Sequence, residues 1–381
     1  MEVEPQFLVR VLLLEDANLC SLKFDSSFSV LNDETLATQA MFDRTTTPIN
    51  VSISADRITL AGQTFQAKQL TIFPEHPHIF NINGDNYRGK LKLIINPDGN
   101  SFNAINLTPL EPYLAGVVGA EMPNYWEPAA LEAQAIAART YCLYIKKCFG
   151  KDRDWDIRQT VANQVYLGIK AESAQVWDAI NKTYGQVIAC RQPDGSENIF
   201  PAYFSSTCGG HTEDSQYVFG GDYFEPLRGV DCPYCKYAAK PSFFFWSMVQ
   251  FDKADVTAKL LKKYPDLQRL KKIINIIPAK KSDYGQFSRL TLIKLVGSTS
   301  ESSSLRAEDF RLTIDPTGNK LKSTTCQIVN MSKTWAFISG RGYGHGVGLC
   351  QCGAQAMARE GKSSTQILYY YYPGSKIVNV Y

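Results

Sequence analysis

The chain has 381 residues, 44% of them hydrophobic, and a formal net charge of +3. A composition this apolar excludes a disordered chain, and so even a charge balance argues against a dedicated nucleic-acid binder, which carries a strongly basic face. No apolar run reaches the roughly 18 residues that a membrane-spanning helix needs, so no transmembrane segment is predicted.

Residues 1–108 read as a β-rich N-terminal region. Phe7–Leu14 has the look of a strand, and the basic n-region and small-residue cleavage site of a signal peptide are missing. Alternating stretches such as Ile58-Thr59-Leu60 and Leu91–Ile95 are separated by Gly62, Gly84-Asp85 and Pro97-Asp98-Gly99, all turn formers. Residues 109–241 are the expected core: an apolar strand over Leu114–Val118, a helix opened by Pro128 and running through Ala129–Tyr141, a second helix over Ser173–Thr183, and a strand from Ile199 to Thr207 leading into Gly209-Gly210. Residues 242–330 read as an inserted, peripheral subdomain, with lysine-rich helical stretches over Lys253–Lys272, a strand at Leu290–Val296 and a Ser/Thr/Glu loop at 298–304. Residues 331–381 return to the core through a glycine loop, a helix over Ala354–Gly361 and a short helix that Pro373-Gly374 ends after Tyr372. The predicted class is α+β, mixed and largely antiparallel.

Three constellations carry chemistry. Glu121 stands in Gly119-Ala120-Glu121-Met122-Pro123, after an apolar segment. Partial desolvation there would raise its pKa and make it a usable general acid, the alternative being a solvated loop glutamate. Five glycines alternate through residues 340–348 around His345, giving either a loop whose backbone can approach a ligand closely or a tight structural turn. Neither dinucleotide nor P-loop spacing fits it.

The third constellation is cysteine-based. Of ten cysteines, Cys20, Cys142, Cys148, Cys190 and Cys326 stand singly in apolar contexts and read as buried small hydrophobes. Cys208-Gly-Gly-His211 and Cys232-Pro-Tyr-Cys235 are two pairs with two-residue gaps about twenty residues apart, the spacing of a closed structural zinc site. A Cys232–Cys235 disulfide, or no shared role, are the alternatives. A zinc peptidase is disfavoured, because no His-Glu-x-x-His occurs and the cluster leaves no open metal position.

Taken in order, these segments resemble the stage II sporulation protein D family. The likeness is carried by Asn81–Gly89, Pro109–Leu114, Gly119–Pro123, the helix Ala130–Tyr141, Gln164–Gly168, Tyr203–Glu213, Arg341–Gly348 and Tyr370–Gly374. The resemblance implies a lytic transglycosylase that cleaves peptide-stripped peptidoglycan glycan strands in the cell envelope, outside the cytoplasm, with the export signal lying outside this chain. The runner-up is a non-catalytic, peptidoglycan-binding enhancer of a partner amidase. Glu121 would be the catalytic acid/base and Arg139 would steady the substrate or the carboxylate. Gln164, Tyr203, Ser205, Ser206, Arg341, His345 and Gln351 would line the glycan groove. One departure stands out. The family pattern Ser-Gln-Tyr-Gly-Ala is replaced here by Cys350-Gln351-Cys352-Gly353-Ala354. With one convincing acid, the expected product is a 1,6-anhydro-muramoyl end, because two-carboxylate glycosidases need a second group and substrate-assisted routes do not.

Overall fold

The computed structural model describes residues 7–161, 163–191 and 195–381. Helices and largely antiparallel sheets are mixed along the chain, and the class is α+β. The chain divides into two compact units, residues 1–125 with 138–185 and residues 126–137 with 186–381. Each is described by itself.

In the first unit, a seven-stranded sheet runs in the order Ile157–Arg158, Leu8–Ala17, Phe102–Pro109, Lys90–Ile95, Gln69–Pro74, Phe28–Asn32, Thr38–Phe42. Its pairings are antiparallel except that of Ile157–Arg158 with Leu8–Ala17. The inner strand Phe102–Pro109, third in that order, is buried on both faces over most of its length, with Asn106 fully buried and tied to the Arg88 carbonyl. A second, six-stranded sheet uses Leu19–Lys23, Ile49–Ser54 and four shorter strands.

Helix α1, Leu110–Glu121, follows the strand Phe102–Pro109 directly. The segment Leu114–Val118, expected as a strand, is its buried middle. Short apolar runs with β-branched residues do not separate buried strand from buried helix by periodicity, and packing decides. Gly116 and Gly119 allow that packing. A Cβ on Gly116 would lie 2.4 Å from the Tyr166 ring, and one on Gly119 would lie 1.9 Å from the Ala171 carbonyl oxygen. The helix stops at Glu121 for a local reason. Met122 precedes Pro123, the α region is disfavoured before proline, and Met122 is extended at φ −129° and ψ 142°.

Helix α2 runs from Pro128 to Phe149, longer than its alanine-rich start predicts; residues up to Ala137 group with the second unit and those from Ala138 with the first. Helix α3, Ala174–Lys182, is capped by Ser173, whose hydroxyl oxygen accepts from the Val176 N–H at 3.2 Å, matching the expected start and stop.

The second unit holds its own apolar core, including Trp246, Leu260, Leu270, Leu295, Phe310 and Trp335. Much of this core comes from residues 242–330. A three-stranded antiparallel sheet, Ile273–Lys281, Leu290–Gly297 and Ser302–Arg306, takes up part of the expected 298–304 loop. The strand expected over Ile199–Thr207 is broken by Pro201 into Glu197–Ile199 and Phe204–Ser205. Phe204–Ser205 pairs in parallel with Leu349–Cys350, which brings the chain after the glycine loop beside the Cys208 turn. The helices Gln351–Arg359 and Ser364–Tyr371 follow, the latter opened by a capping box between Ser363 and Gln366.

Candidate functional site

In the first unit, Glu121 is half-buried at the last position of α1, and one carboxylate oxygen accepts from the Val165 N–H at 3.0 Å. The segment carrying Val165 is itself pinned. Gln164 is fully buried, accepts from the Tyr113 hydroxyl at 2.9 Å and donates to the Ala138 carbonyl at 3.2 Å. Next to it, Tyr166 is buried and donates to Asn106 at 2.9 Å. Burial pushes the Tyr113 and Tyr166 hydroxyls above their ordinary range, so both are neutral donors. Gln164, expected to line a groove, is instead a strut inside the protein. It holds the loop whose backbone fixes Glu121.

Arg139, on α2, is fully buried and forms a two-pronged ion pair with Glu111, Nε to Oε1 at 2.9 Å and Nη2 to Oε2 at 2.7 Å. Glu111 lies in the first turn of α1 and Glu121 in its last. The pair therefore anchors one end of the helix that presents Glu121 at the other.

In the second unit, the glycine loop folds over buried side chains. Thr207 and Tyr343 exchange backbone hydrogen bonds at 3.0 and 2.7 Å. Gly344 and Gly346 have φ of 103° and 79°. A Cβ on Gly346 would lie 2.4 Å from the Arg289 guanidinium, and one on Gly344 would lie 2.9 Å from the Ser205 Cβ, so side chains are excluded at both positions.

His345 is half-buried against Tyr203 and Phe219, with ring centroids 6.0 and 5.2 Å away. Its Nδ1 accepts from the Val347 N–H at 3.0 Å, which places the proton on Nε2. Desolvation lowers its pKa to about 4; Arg311 and Arg289 push the same way against Glu308. His345 is thus neutral near pH 7.

The other expected groove residues divide by exposure. Tyr203, Ser206 and Arg341 are half-buried, and the Arg341 guanidinium lies 5.2, 5.5 and 5.8 Å from the Phe244, Phe245 and Phe287 rings. Ser205 and Gln351 are buried, Gln351 donating to Gln134 at 3.4 Å, so as placed neither faces outward.

Arg289 had no motif to mark it. It is buried, donates to the Cys208 carbonyl at 2.9 Å and to the Gly344 carbonyl at 3.3 Å, and so ties the glycine loop to the Cys208 turn. Nearby, the buried pair Glu308–Arg311 lies at 2.5 and 2.9 Å. All three residues come from the 242–330 segment, which is therefore not peripheral: it builds the underside of the loop.

The cysteines rearrange the predicted metal set. The sulfurs of Cys208, Cys232, Cys235 and Cys350 all lie within 4.8 Å of one another, and all four residues are buried. His211 is not among them. Its Nδ1 donates to the Thr212 carbonyl at 2.5 Å, and its ring stacks on Tyr284 at 3.7 Å. The parallel pairing of Ser205 with Cys350 is what delivers the fourth thiol instead. The signal in the sequence was the unexplained Cys350 and Cys352. Cys352 lies beside the cluster, accepting from the Thr207 hydroxyl at 3.3 Å. Of the single cysteines, Cys20, Cys142 and Cys190 are buried as expected, Cys326 is half-buried and Cys148 is exposed.

The molecule is thus an α+β protein with a glutamate fixed at a helix end and, in its second unit, a glycine loop set beside four buried thiols. A family model described as stage II sporulation protein matches residues 98–189. The chain is 30% identical over 302 residues to an uncharacterized protein of Brachyspira hyodysenteriae, covering 79% of this chain and 74% of that one. It is 30% identical over 285 residues to stage II sporulation protein D of Bacillus subtilis, covering 71% and 74%. It is also 28% identical over 366 residues to the amidase enhancer of Bacillus subtilis, covering 87% of this chain and 50% of that one. The chain belongs to the stage II sporulation protein D family. Among the described residues no helix is long and apolar enough to cross a membrane.

Proposed function

We propose that this protein acts on bacterial peptidoglycan outside the cytoplasm, as a lytic transglycosylase that cleaves the MurNAc–GlcNAc bond of peptide-stripped glycan strands. The observation that carries the reading is Glu121, held half-buried at the helix end that Pro123 enforces, with its carboxylate fixed by the Val165 N–H. In this reading Glu121 protonates the leaving glycosidic oxygen. The sugar's N-acetyl group stabilises the positive charge developing at the anomeric carbon. Ionised Glu121 then takes the proton of the sugar's own 6-hydroxyl as that oxygen closes the anhydro ring. Tyr203, Ser206, Arg341 and His345 are the candidates for holding sugar through hydrogen bonds and ring faces. Arg139 is a positioning residue, acting through Glu111 and α1.

The test is digestion of purified glycan strands in ¹⁸O-water, with the new termini read by mass. The expected products are 1,6-anhydro ends without the heavy oxygen. Glu121→Gln should stay folded and lose about 10²–10⁴-fold in rate. Heavy-oxygen reducing ends would mean that water is the nucleophile, and a folded Glu121→Gln variant keeping more than about half of the activity would remove Glu121 from the mechanism. The similarity to the amidase enhancer favours a second reading, a peptidoglycan binder that assists a partner amidase. That reading predicts no new glycan ends, and an amidase rate that rises equally with wild type and Glu121→Gln.

A further inference from the structure

We propose that Cys208, Cys232, Cys235 and Cys350 form a closed tetrathiolate site for one zinc ion, with Cys350 and not His211 as the fourth ligand. The geometry suits it. Tetrahedral zinc with Zn–S of about 2.3 Å places its sulfurs about 3.8 Å apart. The Cys208 and Cys235 sulfurs already stand 3.7 Å apart, and all four lie within 4.8 Å of one another. A disulfide needs two sulfurs at about 2.05 Å and no others, and a single bridge gives no reason for four thiols to converge.

The surroundings suit anionic sulfur. The Cys208 N–H points at the Cys350 sulfur from 3.2 Å, and the Tyr371 hydroxyl lies 3.1 Å from the Cys232 sulfur. Such outer hydrogen bonds orient metal ligands and tune their basicity. Cys350 stands at the N-cap position of the helix Gln351–Arg359, whose dipole favours negative charge there. Arg289 donates to the Cys208 carbonyl from behind. Gly353 keeps the space clear, since a Cβ there would lie 2.9 Å from the Cys232 sulfur and 1.9 Å from the Tyr371 oxygen. Binding is balanced by proton release: one Zn²⁺ replaces the protons of four thiols and leaves a complex of charge −2.

With four protein ligands the metal has no open position and is a staple, not a Lewis acid. It would join three pieces distant in sequence: the turn at 208, the knuckle 232–235 and the chain leaving the glycine loop at 350. Ion binding would then be folding energy for that loop.

The experiment uses the full chain purified without chelator. Elemental analysis should find about one zinc per chain. The cadmium-substituted protein should give a single ¹¹³Cd resonance in the four-thiolate range, a readout that needs no variant to fold. Cys350→Ser should weaken zinc retention against a competing chelator by about tenfold or more, while His211→Ala and Cys352→Ser stay within about twofold of wild type. A ¹¹³Cd resonance of three thiolates and one nitrogen, zinc loss in His211→Ala, or iron in place of zinc would each overturn the assignment. So would less than about a tenth of an equivalent of metal together with a disulfide among these four cysteines.

Discussion

Arg139 and Glu111 offer the most direct test of how the catalytic candidate is held. Their side chains are 0% and 13% exposed, and the guanidinium meets both carboxylate oxygens. Removing one partner of such a pair leaves an uncompensated charge with little access to water, which costs about 3–5 kcal/mol. At about 1.4 kcal/mol per factor of ten, Arg139→Met should shift the local unfolding equilibrium by roughly two to three and a half powers of ten. Hydrogen exchange of the α1 amides reads this where it acts and does not depend on two-state melting of a two-unit chain. Replacing both partners with apolar residues should recover much of the loss, because no charge is then stranded. The Arg139→Met, Glu111→Leu double-mutant cycle should therefore give a coupling above about 2 kcal/mol. Arg139→Lys keeps the charge but not the fork, and should recover only part. Additivity within about 0.5 kcal/mol, or a single-variant loss below about 1 kcal/mol, would refute the anchoring role and return Arg139 to the substrate.

Two further outcomes follow from particular contacts. His345 has its pKa depressed from 6.5 to about 4, so between those values the unfolded chain binds the extra proton. Its contribution is present above pH 6.5 and is lost as pH falls toward 4, by at most about 3.4 kcal/mol; chemical denaturation across that window should show the slope and His345→Gln should flatten it. An unchanged slope would mean that other groups set the acid sensitivity. Gly119→Ala places a Cβ against the Ala171 carbonyl, a backbone atom that cannot swing aside. A loss of at least about 1–3 kcal/mol is expected, and an unaltered melting temperature would show that α1 packs more loosely than described.

Much of this architecture is legible in the sequence where local rules govern. Ser173 and the Pro373-Gly374 stop mark helix ends, turn formers separate the N-terminal strands, and the Met122-Pro123 step accounts for Glu121 ending a helix. What escaped depends on partners far along the chain. Leu114–Val118 has strand-like composition, and its packing as a helix against Tyr166 and Ala171, which Gly116 and Gly119 allow, is set by residues about fifty positions on. Gln164 reads as a polar groove residue until Tyr113 and Ala138 are seen to satisfy it inside. Cys208-Gly-Gly-His211 has metal spacing, yet a carbonyl one residue away and the ring of Tyr284, seventy-three positions on, take the histidine. Arg289 has no local signature, because its role is to lie beneath glycines more than fifty residues later.

The distribution of carboxylates bears on the proposed chemistry. Glu111 is locked to Arg139, and Glu172 to Arg88 at 2.8 Å with a further bond from Trp177. Asp156 is buried between Arg10 and Lys146, and Glu308 is paired with Arg311. Glu213 is fully buried and accepts from the Ser282 and Tyr284 hydroxyls at 2.6 Å each and from the Asp214 N–H at 3.0 Å. Recruiting Glu213 as a base would take the acceptor from the Tyr284 hydroxyl and the Asp214 N–H, at about 1–3 kcal/mol for each that stays buried, while the Ser282 hydroxyl keeps the Arg289 carbonyl at 3.4 Å. Recruiting Glu111 would strand the Arg139 charge. A hydrolysis that recruited either of these two carboxylates therefore starts with a cost of several kcal/mol, whereas ring closure by the sugar's own hydroxyl asks only that Glu121 give up a proton and take one back. That asymmetry favours anhydro ends, and it makes the ¹⁸O experiment the measurement on which the mechanism turns.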